Sequence, residues 1–135
     1  KARKIYKEFF ASRIDTMGLR LYDGSGLSRN NRISAAHLCD VLNYMTQSPV
    51  ANEFFNTLPI AGKSGTVSEL CKGAAGEGRV YAKSGTMTGI KSYAGYINTL
   101  SGKKLAFAFV VNGYSCSQST VKQQMEILLN HLAQE

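Results

Sequence analysis

Apolar residues recur every three or four positions in the first half of the chain and crowd into short extended runs in the second. Over residues 2–17, Tyr6, Phe9, Phe10, Arg13, Ile14 and Met17 share one helical face, and Gly18 is placed to end that helix. A second helix is expected from Ser34, as N-cap, to about Gln47. Leu38, Val41, Leu42 and Met45 form its apolar stripe, with His37, Asp40, Asn43 and Thr46 on the other side. Pro49 suits the first turn of a third, short helix through Phe54 and Phe55. Between these lie a short extended piece, Leu19 to Tyr22, and a turn-rich Asp23-Gly24-Ser25-Gly26. Pro59 to Gly65 and Leu70 to Gly78 read as loops.

From Arg79 onward the period changes. Arg79 to Thr86, Ser92 to Asn98 and Lys104 to Asn112 read as strands, and Ser101-Gly102 marks a hairpin link between the last two. The last strand is apolar from Leu105 to Val111, which implies cover on both faces. A final helix follows Ser115, Ser117 and Ser119, with Val121, Met125, Leu128 and Leu132 as its buried stripe. Helices, then strands, then a helix predict a layered α/β (α+β) architecture around an antiparallel sheet with flanking helices.

Composition narrows the function. With 44% apolar and 19% charged residues over 135 positions, the chain can bury a core and is not a disordered segment. The net charge of +7 raises nucleic acid as a partner, but the bases are scattered: Lys1, Arg3, Lys4 and Lys7, then Arg29 and Arg32, then Lys103 and Lys104. No basic arm or aromatic RNA-binding motif accompanies them, so a solvated basic surface is the reading and no nucleic acid is expected. The run from Leu105 to Val111 is too short to cross a bilayer, so no transmembrane segment is expected. Three cysteines, Cys39, Cys71 and Cys116, make an odd set unsuited to a disulfide framework, and Cys39 reads as a buried thiol. His37 and Cys39, two apart on a helix, do not face a common metal, so neither a metal nor another cofactor is expected.

One motif carries chemistry. Lys-Ser-Gly-Thr occurs at Lys63 to Thr66, in a loop, and at Lys83 to Thr86, closing a strand. On a rigid strand end, an ammonium, two hydroxyls and a glycine can dock an anion: the charge attracts it, the hydroxyls bond it, and the glycine admits it to the backbone. Other matches fail on spacing. Gly62-Lys63-Ser64 would need a glycine where Thr57 stands to be a phosphate loop, and Gly24-Ser25-Gly26 meets Arg29 where a dinucleotide fingerprint needs its third glycine. Ser101 with Lys104 and Ser119 with Lys122 match Ser-x-x-Lys formally, but one sits in a hairpin link and the other caps the last helix.

Four strings in order make the chain resemble a known family. They are Asp23-Gly24-Ser25-Gly26-Leu27-Ser28-Arg29, Leu58-Pro59-Ile60-Ala61-Gly62 with Gly65-Thr66, Ala82-Lys83-Ser84-Gly85-Thr86-Met87-Thr88-Gly89, and Tyr93-Ala94-Gly95-Tyr96. The chain resembles the C-terminal part of D-Ala-D-Ala carboxypeptidases of the type-4 penicillin-binding-protein (DacB-like) kind. The resemblance implies a β-lactamase/transpeptidase-like sandwich, with residues 1–135 as the C-terminal part of that domain. It implies a bacterial periplasmic or cell-envelope enzyme that cuts peptidoglycan stem peptides through an acyl-serine, as carboxypeptidase or endopeptidase, and is acylated by β-lactams. Lys83 would supply positive potential to the catalytic cleft. Ser84 and Thr86 hydroxyls would hold the substrate carboxylate, Gly85 would complete the motif, and the Thr86 amide would serve the oxyanion.

In that family the nucleophile motif and the Ser-x-Asn precede the Asp-Gly-Ser-Gly string, so Ser28 and Asn30 are not the second motif. The 135 residues would then be an inactive fragment of an active parent, and the strand Lys104 to Asn112 would lack a neighbour. Its edge is expected to be covered by another copy of the chain or by rearrangement. The competing class is a non-catalytic envelope domain that binds anionic glycan or peptide through Lys83. Asp23, Ser25 and Arg29 are expected to hold a tight loop.

Overall fold

The computed structural model describes residues 8–135. Its elements are α1 (Ala35–Thr46), α2 (Ala51–Asn56), a 3-10 turn (Gly65–Val67), β1 (Val80–Met87), β2 (Ile90–Asn98), β3 (Lys104–Asn112) and α3 (Gln118–Gln134). The strands form one antiparallel sheet in the order β1-β2-β3. This is the mixed helix and antiparallel-sheet architecture that the change of period predicts.

Side-chain alternation divides the sheet into two faces. Val80 and Ala82 of β1, Tyr93 and Ile97 of β2, and Phe107 of β3 share the face that packs on Val121, Met125, Leu129 and Ala133 of α3. The opposite face carries Tyr81 and Tyr96, against which Phe55 of α2 packs with ring centroids 4.3 and 5.8 Å away. The buried Tyr96 hydroxyl donates to the Leu42 carbonyl of α1 at 2.7 Å. β3 therefore has helix on both sides: Leu105, Phe109 and Val111 pack toward the α3 core, and α1 contacts the strand as well. Among the described residues its outer edge pairs with no strand.

The first part of the helix expected over residues 2–17, with Tyr6, lies outside the described residues. From residue 8 the helix runs only to Ala11, not Met17. Asp15 Oδ1 accepts from the Met17 amide at 2.8 Å, a local turn that competes with helix, and Met17 is exposed. Ser34 caps α1 as expected, but His37 is buried and does not lie on a solvent face. Its Nδ1 accepts from the Ser34 amide while Ser34 Oγ accepts from the His37 amide, both at 3.1 Å, so imidazole fills the role glutamate usually has in a capping box. Pro49 precedes α2 and is not inside it. Cys39 is half-buried, Cys71 buried and Cys116 exposed, and all three thiols are free.

Two corrections concern α3. Its cap is Ser117, which accepts from the Thr120 amide at 3.1 Å; Ser119 only bonds the Ser117 hydroxyl. Its buried stripe is Val121, Met125, Leu129 and Ala133, with Leu132 partly buried, whereas Leu128 is exposed. A strict four-residue step leaves Leu128 one position, or about 100°, off the contact line. A polar stripe runs beside the apolar one. Lys122 Nζ donates to the Glu69 carbonyl at 2.7 Å, Glu126 accepts from the Cys71 amide at 2.8 Å, and Asn130 Oδ1 accepts from the Gly76 amide at 2.8 Å. These three bonds satisfy one carbonyl and two amides of the 69–76 loop, which leads into β1. Burial, then Glu126, pushes the Cys71 thiol up to about 12, so Cys71 stays a neutral packing group.

Leu129→Ala should lower stability by about 2–5 kcal/mol through the cavity left under the sheet. Leu128→Ala should change it by less than about 0.5 kcal/mol. Urea denaturation of both variants checks the assignment, and equal losses would contradict the observed stripe.

Candidate active site

The site grows from the β1–β2 hairpin. Thr88-Gly89 is a two-residue turn, with Gly89 at φ 69°, so β2 begins at Ile90, two residues earlier than its composition suggests. The turn fixes the register: Met87 faces Ile90, Thr86 faces Lys91, Gly85 faces Ser92 and Ser84 faces Tyr93. Register is reinforced at Gly95, where an added Cβ would lie 1.9 Å from the Tyr81 carbonyl oxygen. Only glycine permits that approach.

Hydrogen bonding alternates along β1. The Asn98 amide donates to the Arg79 carbonyl at 3.0 Å, so odd-numbered residues of β1 bond to β2 and even-numbered ones turn their amides and carbonyls to the outer edge. The first half of that edge is covered: the Ala61 amide donates to the Val80 carbonyl at 2.8 Å, and the Ala82 amide donates to the Pro59 carbonyl at 2.9 Å. Pro59 has no N–H to return, and pairing ends there. Beyond it, the amides of Ser84 and Thr86 are directed outward with no strand opposite among the described residues.

Around this uncovered edge the motif side chains gather. Lys83 is exposed and on the α1 side, and its Nζ donates to the Ser84 carbonyl at 2.7 Å, which brings the ammonium to the edge itself. Ser84 and Thr86 lie on the α3 side. Ser84 Oγ is 2.7 Å from Thr66 Oγ1, so the loop copy of Lys-Ser-Gly-Thr delivers its threonine to the strand copy. Thr66 rides on the 3-10 turn, which Gly65 enters at φ 57°. Lys63 of the loop copy is engaged elsewhere, 3.1 Å from Glu77. Across the hairpin, Lys91 Nζ donates to Thr86 Oγ1 at 3.0 Å. Desolvation, then repulsion from Lys122, holds the Lys91 ammonium below the ordinary lysine range. Among the described residues neither Lys83 nor Lys91 has a carboxylate within ion-pair distance.

Lys83, Ser84, Gly85 and Thr86 are thus together, as the motif requires. Thr66 and Lys91 were missed by motif reading, although the Thr88-Gly89 turn already implied the pairing of Thr86 with Lys91. Gly85 faces Ser92, whose Oγ would lie 2.4 Å from an added Cβ. The two formal Ser-x-x-Lys matches remain outside the site. Ser101 bonds Thr99 in the β2–β3 link, and Lys122 serves the Glu69 carbonyl. Among the described residues no cluster of three or more histidine, cysteine or acidic side chains could hold a metal.

The sequence profile of the D-Ala-D-Ala carboxypeptidase 3 (S13) family matches residues 2–134. The chain belongs to that family. It is 43% identical over 107 residues to a D-alanyl-D-alanine carboxypeptidase of Actinomadura sp. strain R39, covering 76% of this chain and 20% of that protein. It is 37% identical over 104 residues to D-alanyl-D-alanine carboxypeptidase DacB of Haemophilus influenzae, covering 70% of this chain and 20% of the relative. The fold superposes on the crystal structure of penicillin binding protein 4 (dacB) from H. influenzae with a TM-score of 0.87 and 29% identity, over 96% of this chain and 31% of that one. A predatory endopeptidase from Bdellovibrio bacteriovorus shares the fold at a TM-score of 0.80 and 21% identity, over 96% of this chain and 36% of that one. The chain therefore spans about a fifth of the length of these curated relatives.

The Asp-Gly-Ser-Gly-Leu-Ser string of this family member is a hydrogen-bonded loop. Asp23 accepts from Asn31 Nδ2 at 2.7 Å, Ser25 Oγ at 2.8 Å and the Ser28 amide at 3.0 Å. An antiparallel bridge between Arg20 and Arg32 closes it. Ser28 Oγ accepts from the Asn30 amide at 3.3 Å, so the formal Ser-x-Asn serves this loop. The bonds from Asn31 and then Ser25 hold the Asp23 carboxyl below the ordinary aspartate range. Its folded-state pKa is depressed, so its contribution is present above the unfolded value and is lost as pH falls through the folded one. The Ser28 amide chemical shift should titrate with a midpoint below that of an unperturbed aspartate, and Asp23→Asn should abolish the titration. A midpoint at the ordinary value would contradict the loop geometry.

Proposed function

We propose that this chain forms the carboxylate-docking side of a serine acyl-transfer centre acting on D-Ala-D-Ala-terminated peptidoglycan stem peptides. The observation that carries the reading is the outer edge of β1, where the Thr86 amide, two hydroxyls and an ammonium without a carboxylate partner among the described residues converge. Lys83 supplies positive potential to the cleft. Ser84 and Thr86 hydroxyls bind the terminal carboxylate, and Gly85 keeps the strand bare beside them. The Thr86 amide donates to the oxygen that becomes negative when the scissile carbonyl is attacked. The attacking serine lies outside these 135 residues. Its Oγ–carbon bond forms as the amide carbon–nitrogen bond breaks, D-alanine leaves with the added proton, and water then hydrolyses the ester.

Family membership, the 43% identity to a named carboxypeptidase and the match to penicillin binding protein 4 support this assignment. A related structure of the H. influenzae protein is described as complexed with a β-lactam, and we extend β-lactam acylation to the whole protein of which this chain is a part. Its substrate places that protein in the bacterial cell envelope. The outer edge of β3, which pairs with no strand among the described residues, takes a further strand there, from another segment or a second copy of the chain.

The test is labelling by a fluorescent penicillin. A protein that joins this chain to its upstream reading frame should give a labelled band that excess unlabelled penicillin removes, while residues 1–135 alone should not label. Lys83→Met should slow labelling about a hundredfold or more, the scale seen when one preorganised electrostatic contact is lost. An intact, folded protein that never labels would overturn the assignment.

A further inference from the structure

We propose that Lys91 determines this chain's selectivity for ligands that end in a carboxylate, acting through Thr86 as the second cation of the docking edge. The inference rests on the acyl-transfer reading above and deepens it.

The hairpin puts Lys91 directly opposite Thr86, and its Nζ lies 3.0 Å from Thr86 Oγ1. An ammonium can only donate. Thr86 oxygen must therefore accept from Lys91, which leaves the threonine hydrogen to donate to an incoming acceptor. The same logic holds beside it. In the 2.7 Å pair of Thr66 and Ser84 one hydroxyl donates and the other accepts, so the accepting group keeps a hydrogen for a ligand. The edge thus offers donors, and an anion with two equivalent oxygens fits them.

Charge favours the same ligand. Lys91 is half-buried, and Lys122 is near enough to repel it. The acid on that helix face, Glu126, is already engaged by the Cys71 amide at 2.8 Å and by Lys122 at 3.5 Å. Lys91 is therefore a partly desolvated cation without a counter-charge among the described residues. A ligand carboxylate would supply one. The Tyr93 ring, 5.3 Å from Lys91 Nζ, faces the same side and limits where the ammonium can swing.

The experiment compares acylation of the full-length protein by benzylpenicillin and by its methyl ester, which keeps the reactive ring and loses the negative charge. Lys91→Met should slow the acid about tenfold or more, as expected for a lost charge-assisted hydrogen bond, and leave the ester rate unchanged. Lys91→Arg should restore most of the preference for the acid. An equal loss for acid and ester, or an unchanged acid rate in Lys91→Met, would refute the role of Lys91 while leaving the acyl-transfer reading in place. Failure of the unsubstituted protein to react with either compound would remove that reading, and this inference with it.

Discussion

The antiparallel register of β1 and β2 is the constraint on which the candidate site depends. A slip of one residue would carry Ser84 and Thr86 to the α1 face and move their amides from the free edge into the ladder. Two local features forbid it. The Thr88-Gly89 turn leaves no slack between the strands, and Gly95 lets the Tyr81 backbone come closer than any side chain would allow. The apolar face adds a third reason, since the same register buries Val80, Ala82, Tyr93 and Ile97 together over α3. Core packing and site geometry are thus two consequences of one pairing.

Holding the edge open is a separate task. Unpaired strand edges attract other strands, yet the role proposed for the Thr86 amide needs it accessible. The chain meets both needs by covering Val80 to Ala82 with residues 59–61 and stopping the cover at a proline. The turns that follow return the chain to the strand at Thr66, where its hydroxyl meets Ser84. From the far side, Lys122, Glu126 and Asn130 bind the loop that leads into β1. The proposed docking edge is consequently held by backbone on one flank and by α3 on the other, and no single loop has to order it.

The charge pattern follows the same division. Lys63 and Lys72 stand beside carboxylates on the surface, whereas Lys83 and Lys91 converge on hydroxyls and a carbonyl. Paired lysines solubilise, while unpaired ones at a fixed edge create potential. The net charge of +7 by itself raised nucleic acid as a partner, and the scattered bases read only as a solvated surface. Position sets Lys83 and Lys91 apart from the surface pairs.

Local periodicity and motif order were enough to determine the element types, the antiparallel sheet, the family and the cluster Lys83 to Thr86, because each depends on residues close in the chain. Some departures came from a distant contact that chose among local options, and others from short-range side-chain bonds. The stripe read along α3 ran through Leu128, and only the packing of the helix on the sheet buried Leu129 instead. His37 looks like a solvent residue until Ser34 turns it inward. The helix face through Met17 gave way to the Asp15 turn. Lys91 has no motif of its own, and Thr66 belongs to the loop copy of Lys-Ser-Gly-Thr, whose setting gave no reason to join it to the strand copy. Thr66 reaches Ser84 because Pro59 to Ala61 docks on β1, and Lys91 reaches Thr86 because the hairpin closes in two residues. Sequence could name the groups able to bind an anion, but only the pairing of strands in three dimensions decided which hydroxyls and ammoniums stand side by side.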